Sequence, residues 1–196
     1  MQKKDLKLTD EDHSYLNKIT HIPSREECIK ARYALFELLK KNQLGDLTDS
    51  GFSKNIKGKP ILKYYPNYHI SLSHTCGLGF AVIADFPVGL DSEVDRSIST
   101  ESLSAAFHSE ELVSLSENRE NCLDLFSAKE AYLKYTGEGL MRDPARFKLA
   151  DELKKEGLAC VKFNLNILNI DQSILVNIVC PRSSEDQIRS QVADLE

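Results

Sequence analysis

The hydrophobic pattern first becomes periodic at Ser24–Lys41, where Cys28, Ala31, Leu35, Leu38 and Leu39 recur on one helical face. Ser24 reads as the N-cap, with Glu27 completing a capping box, Pro23 just before it and Gly45 shortly after the helix. A polar loop carrying Gly51, Gly58 and Pro60 follows. Strands are predicted at Tyr68–Ser73 and Phe80–Ala84, joined by a turn at Thr75–Gly79, with a third strand at Val88–Glu93. Glu101–Asn118 reads as one or two short helices. A better helix runs from Cys122 to Tyr135 and ends at the Gly137-Glu138-Gly139 breaker. Alternation in VKFNLNILNI sets Val161, Phe163, Leu165 and Ile167 on one side of a strand at Ala159–Leu168, and a further strand is predicted at Ser173–Cys180. The tail after Pro181 is a short helix or disordered. Each half of the chain therefore runs helix, glycine-bearing loop, hairpin, an order that fits chance as well as duplication.

Composition narrows the class. Hydrophobic residues at 41% and charged residues at 28% are ordinary for a globular chain of 196 residues, enough for one domain or two small lobes. A net charge of −5 argues against nucleic acid as the main partner. The start, MQKKDLKLTDED, lacks the apolar core of a signal peptide. The most apolar stretch, Leu78–Leu90, is short and broken by Asp85 and Pro87, so no membrane span is expected. The five cysteines, Cys28, Cys76, Cys122, Cys160 and Cys180, form no CxxC pair and fit buried thiols in a reducing cytoplasm.

Three segments carry candidate chemistry. In Val88-Gly89-Leu90-Asp91-Ser92-Glu93, the two acids are two apart on a strand and share a face. Paired carboxylates repel unless a cation sits between them, and magnesium accepts such ligands together with phosphate oxygens. Taken alone, a solvated strand end is the commoner reading. In Phe126-Ser127-Ala128-Lys129-Glu130-Ala131-Tyr132-Leu133-Lys134, Glu130 and Lys134 lie one helical turn apart, as a surface ion pair or as metal and phosphate ligands. In Ile70-Ser71-Leu72-Ser73-His74, the last two residues could donate to a phosphate, or His74 could be structural. A serine hydrolase is disfavoured, because adjacent Ser73 and His74 point to opposite sides of a strand and no G-x-S-x-G elbow is present. Gly77-Leu78-Gly79 lacks the third glycine of a dinucleotide fingerprint.

Taken together and in order, Gly58-Lys59-Pro60, Ser71-Leu72-Ser73-His74, Gly89-Leu90-Asp91-Ser92-Glu93 and Phe126–Lys134 resemble the Sfp-type 4′-phosphopantetheinyl transferases. Their pattern is (V/I)G(V/I)D followed by (F/W)(S/C/T)xKExxxK. The chain departs from it only in having Leu90 for Val or Ile. The resemblance spans about Ser24 to Val179. It implies an α+β fold of two similar lobes related by a pseudo-twofold axis, with the cofactor in the cleft between lobes at 1–87 and 88–196.

The implied activity is Mg2+-dependent transfer of the 4′-phosphopantetheine group from coenzyme A to a serine of an apo carrier protein, releasing 3′,5′-ADP. Mn2+ is an alternative metal. Asp91, Glu93 and Glu130 become the metal ligands. Arg32, Lys59, Ser73, His74 and Lys134 become coenzyme contacts, with Arg25 and Lys30 as candidates for the 3′-phosphate. Glu130, Lys134 and Glu111 become the catalytic set, with Glu130 and Glu111 both open as the base. Lys129, Arg142, Arg146 and Lys148 cluster in sequence as a basic docking patch for an acidic carrier. A functional monomer in the cytoplasm is expected. The competing readings are a non-catalytic coenzyme A or nucleotide-binding module on the same fold, and a metal-dependent hydrolase that releases phosphopantetheine to water.

Overall fold

The protein is described by a computed structural model over residues 6–94, 102, 105–117, 122–167 and 172–193. The expected ends at Glu101, Asn118 and Leu168 lie outside these. The fold is mixed α+β and divides into two units, Met1–Val88 and Gly89–Glu196.

The first unit opens with a helix that the periodicity did not reveal, α1 (Asp10–Asn17). Thr9 caps it by accepting from Asp12 N at 3.2 Å, and Asp10, Glu11 and Asp12 place negative charge at its N-terminus. Helix α2 (Ile22–Lys41) begins earlier than expected. Its cap is His21, whose Nδ1 accepts from Ser24 N at 3.4 Å. Pro23 belongs to the first turn, where its missing N–H costs nothing. The Ser24/Glu27 capping box is therefore not what starts this helix. Cys28, Ala31 and Leu35 are buried as expected, together with Arg32 and Phe36.

The segment expected as a polar loop is a two-stranded ribbon, β1 (Phe52–Lys54) and β2 (Pro60–Leu62). Its turn is held by Asn55, whose Oδ1 accepts from Lys57 N at 2.9 Å and Lys59 N at 3.0 Å, while Gly58 takes a φ of 85°. Strands β3 (His69–Thr75) and β4 (Leu78–Ala84) form an antiparallel hairpin against α2. Gly79 makes the close approach possible, since a Cβ there would overlap the backbone of Lys30 and Ala31. Leu35, Leu39, Leu44, Leu47, Phe52, Leu62 and Ile70 form the core.

The second unit is built on a three-stranded antiparallel sheet in the order β5 (Gly89–Val94), β7 (Ile174–Pro181), β6 (Leu158–Leu165). Helix α3 spans Ser109–Glu117, α4 spans Cys122–Thr136, and α5 (Leu149–Glu156) was not anticipated. The tail forms α6 (Glu185–Ala193), settling the helix-or-disorder alternative over those residues. Val161 is buried and Phe163 and Leu165 half-buried, with Lys162 and Asn164 exposed between them, as the alternation requires. Helix α4 packs Ala128, Ala131, Tyr132 and Leu133 into a core with Phe147, Leu149, Leu158 and Val179. A glycine again sets the helix on the sheet: a Cβ at Gly89 would overlap the backbone of Ala131 and Tyr135. Among the described residues, no helix is long and apolar enough to cross a membrane.

Candidate active site

The contact of Gly89 with α4 decides what faces what. Asp91 and Glu93 follow Gly89 at the strand's two-residue period, so all three lie on the side of β5 that α4 covers. Asp91 is only 5% exposed. Lys134, one turn after Glu130 on α4, donates from Nζ to Asp91 Oδ1 at 2.7 Å. The helix thus brings together the two motifs that the sequence holds far apart.

Glu130 carries the electrostatic mark of this arrangement. Burial raises its carboxyl above the ordinary value, Asp91 raises it further, Lys134 opposes, and Glu93 adds to the rise. Lys134 thus compensates the ionised form of Glu130 only in part. Among the described residues, no three His, Cys, Asp or Glu side chains form a ready metal cage. The donor chemistry nevertheless fits a hard divalent cation. Magnesium binds through one or two carboxylates and completes its shell with water and substrate phosphate, so it does not require a closed protein cage.

The other acid expected in the catalytic set, Glu111, is heavily engaged. It is the third residue of α3 and accepts from His108 N at 3.0 Å, a capping box in which His108 Nδ1 in turn accepts from Glu110 N at 3.3 Å. Its other oxygen accepts from Leu149 N at 2.9 Å, tying α3 to the start of α5. It also pairs with Lys129, whose Nζ donates to Phe147 O at 2.9 Å and lies over the Phe147 ring. At 2% exposure Lys129 is a buried joint, which removes it from the expected docking patch. Arg142 leaves that patch as well. It pairs with Glu138 and Glu152, donates to the Tyr132 hydroxyl and stacks on Phe147. Lys148 is shared between Glu110 and Asp151. Arg146, at 86% side-chain exposure, projects outward and pairs locally with Asp143.

The remaining expected residues belong to the first unit. Lys59 closes the β1–β2 turn, and burial pushes its ammonium down to about 8. Ser73 is buried on β3, and His74 follows it half-exposed, with Nδ1 3.0 Å from Glu27 Oε2. Arg32 is directed inward. Its Nε and Nη2 donate to the two oxygens of Asp12 at 2.5 and 2.6 Å, its Nη1 donates to Cys28 O at 2.8 Å, and it is 3% exposed. Lys30 donates to Gly77 O at 2.5 Å, so its ammonium is committed to the hairpin turn. The residues that sequence reasoning missed are the partners: Asp12 for Arg32, and Glu27 for His74. In sequence, Glu27 shows only the spacing of a local cap.

Comparison with known proteins gives the same direction. Residues 87–173, under half of the chain, match the family model of the 4′-phosphopantetheinyl transferase superfamily. That span holds Asp91, Glu93, Glu111, Glu130 and Lys134. The chain is 30% identical over 116 residues to the 4′-phosphopantetheinyl transferase psf-1 of Bacillus pumilus, covering 57% of this chain and 49% of that protein. It is also 30% identical over 100 residues to the 4′-phosphopantetheinyl transferase Sfp of Bacillus subtilis (strain 168), covering 48% and 45%. A third relative, the 4′-phosphopantetheinyl transferase gsp of Aneurinibacillus migulanus, is 30% identical over 94 residues, covering 45% and 39%. The match spans about half the length, or less, of each relative. Of the four motifs that carry the resemblance, Gly89–Glu93 and Phe126–Lys134 lie inside the span matched by the family model.

Proposed function

We propose that this protein transfers the 4′-phosphopantetheine group of coenzyme A to a serine hydroxyl of an apo carrier protein, releasing 3′,5′-ADP. The observation that carries the reading is the meeting of Asp91, Glu130 and Lys134 where α4 crosses β5, inside the span matched by the transferase superfamily. In this proposal Asp91, Glu93 and Glu130 hold Mg2+, or Mn2+. The metal supplies charge neutralisation on the pyrophosphate. Lys134 offsets the negative charge that grows on the leaving phosphate. The serine oxygen bonds to the β-phosphorus as the bond from that phosphorus to the bridging oxygen breaks, and the serine proton passes to a carboxylate. The engagement of Glu111 by Lys129 and two backbone amides favours Glu130 for this step. Lys59, Ser73 and His74 serve the nucleotide's phosphates.

The proposal includes two lobes related by a pseudo-twofold axis with the coenzyme between them, acting as a monomer in the cytoplasm. The recurring seat of a helix over a strand glycine, α2 over Gly79 of β4 and α4 over Gly89 of β5, supports the repeat. Intact-mass analysis of apo carrier proteins incubated with the protein, coenzyme A and magnesium tests the reaction. A gain of one phosphopantetheine is expected. Cleavage of coenzyme A without that gain would assign a hydrolase, and binding without cleavage a non-catalytic module.

A further inference from the structure

Helix α2 grips the end of the β3–β4 hairpin at three points, two of them on the connecting turn. The turn consists of Cys76 and Gly77, both at positive φ (48° and 72°), as a two-residue hairpin connection requires. Gly77 N donates to Glu27 Oε1 at 2.6 Å, and Gly77 O accepts from Lys30 Nζ at 2.5 Å. Glu27 and Lys30 are one turn apart and share a helical face, so both polar groups of one turn residue are taken by one helix. The other oxygen of Glu27 bonds the ring of His74 at 3.0 Å. The missing Cβ of Gly79 lets the hairpin come close enough for all three bonds.

We propose that Glu27 is a positioning residue for His74, using one carboxylate to fix both the imidazole and the turn beyond it so that the ring presents a protonated face to a phosphate. The proposal rests on the reading of His74 as a coenzyme A contact. The carboxylate is the more buried partner, with side-chain exposures of 17% for Glu27 and 38% for His74, so the ring is held from its protein side and left open on the other. Among the described residues, the ionisable groups that act on the ring are Cys28 and Glu27, neighbours on α2. A hydrogen bond with Cys28 and the charge of Glu27 favour the imidazolium, against the burial that disfavours it. Without a protonated ring, a carboxylate at this point would repel a phosphate. With one, it orients a cation toward it.

Glu27→Gln is the informative change, because the amide oxygen still accepts from Gly77 N while the charge is lost. In the ligand-free protein, NMR titration of the His74 ring should show a lower midpoint in E27Q than in the wild type. Calorimetry should show coenzyme A binding about tenfold weaker in E27Q at neutral pH, roughly the loss on replacing a charge-assisted bond by a neutral one. The kcat at saturating coenzyme A should stay near wild type. The double variant E27Q/H74A should bind no worse than H74A. Unchanged His74 midpoint and affinity in E27Q, with affinity lost in H74A, would overturn the positioning role while leaving the coenzyme reading intact. Normal affinity in H74A would remove the coenzyme reading of His74 and the proposal with it. A shifted ring midpoint would then reduce Glu27 to a structural neighbour.

Discussion

The ammonium of Lys134 and the carboxylate of Asp91, 43 residues apart in the chain, meet at 2.7 Å beneath the crossing of α4 and β5. The expected helix neighbour Glu130 is thus not the lysine's whole environment, and a cation is already present where the acidic side chains gather. Lys134→Ala should lower kcat about 10²-fold, the usual loss for one electrostatic group, with a much smaller change in coenzyme A affinity. Lys134→Arg should recover only part of the rate, since a planar fork cannot place its charge like a compact ammonium. Loss of the pair should also cost about 1–2 kcal/mol of stability because Asp91 is buried. Steady-state kinetics with separate calorimetry checks this. Wild-type kcat in Lys134→Ala removes the residue from the mechanism.

The Glu130 carboxyl is raised above 4.5, burial being the largest cause. The folded state therefore holds the proton more tightly than the unfolded chain, and stability from this group falls as pH rises from about 4.5 through the folded value. Without divalent metal, Glu130→Gln should be more stable than wild type at neutral pH, and activity should be lost. Magnesium should raise the melting temperature of the wild type more than that of the variant. Melting curves with and without magnesium decide it, and equal stabilisation of both proteins would speak against Glu130 as a ligand.

Glu111 and Lys129 form a buried pair that also caps α3 and anchors the start of α5. Removing one partner leaves a buried charge, so Lys129→Met should cost about 3 kcal/mol or more in urea unfolding. Enzyme that remains folded should keep a kcat near wild type. A stability within error of wild type together with a collapsed kcat would point to a chemical role instead.

Lys59, pushed down to about 8 by burial, should be partly neutral just above neutrality. The unfolded chain binds more protons between about 8 and the ordinary 10.5, so stability from this group rises with pH across that window. Competitive acylation followed by peptide mass analysis should give a midpoint near 8 for Lys59, and coenzyme A should raise it by supplying phosphate charge. A midpoint near 10.5, as in an exposed lysine, refutes the burial argument.

Of the basic residues expected to dock an acidic carrier, Arg146 is the one that projects outward. Arg146→Glu should raise the KM for carrier protein and leave coenzyme A affinity unchanged. Arg142→Glu should instead destabilise the fold, because Glu138, Glu152 and the Tyr132 hydroxyl would lose their cation. Thermal melts beside carrier-dependent kinetics separate the two. A strong carrier effect in a stable Arg142→Glu protein would restore the wider patch.

Local pattern was enough to place α4, the β3–β4 hairpin and the alternation of β6, because each buries residues at its own period. It was also enough to name the family resemblance, whose motifs are runs of adjacent residues. Helix α1 shows little apolar period because, of its two buried residues, Leu16 and Asp12, one is a charged side chain paired with Arg32. The start of α2 was misplaced because Glu27 sits at capping-box spacing while its carboxylate serves Gly77 and His74, about fifty residues away. Lys129 read as a surface cation because nothing near it in sequence announces Glu111 and Phe147 O as its partners. The sequence by itself determined which residue types stand in which motifs, since propensity and side-chain period act over a few neighbours. Only the tertiary structure decided which charges face each other, because a charged side chain carries the same local pattern whether water or a distant partner compensates it, and burial alone distinguishes the two.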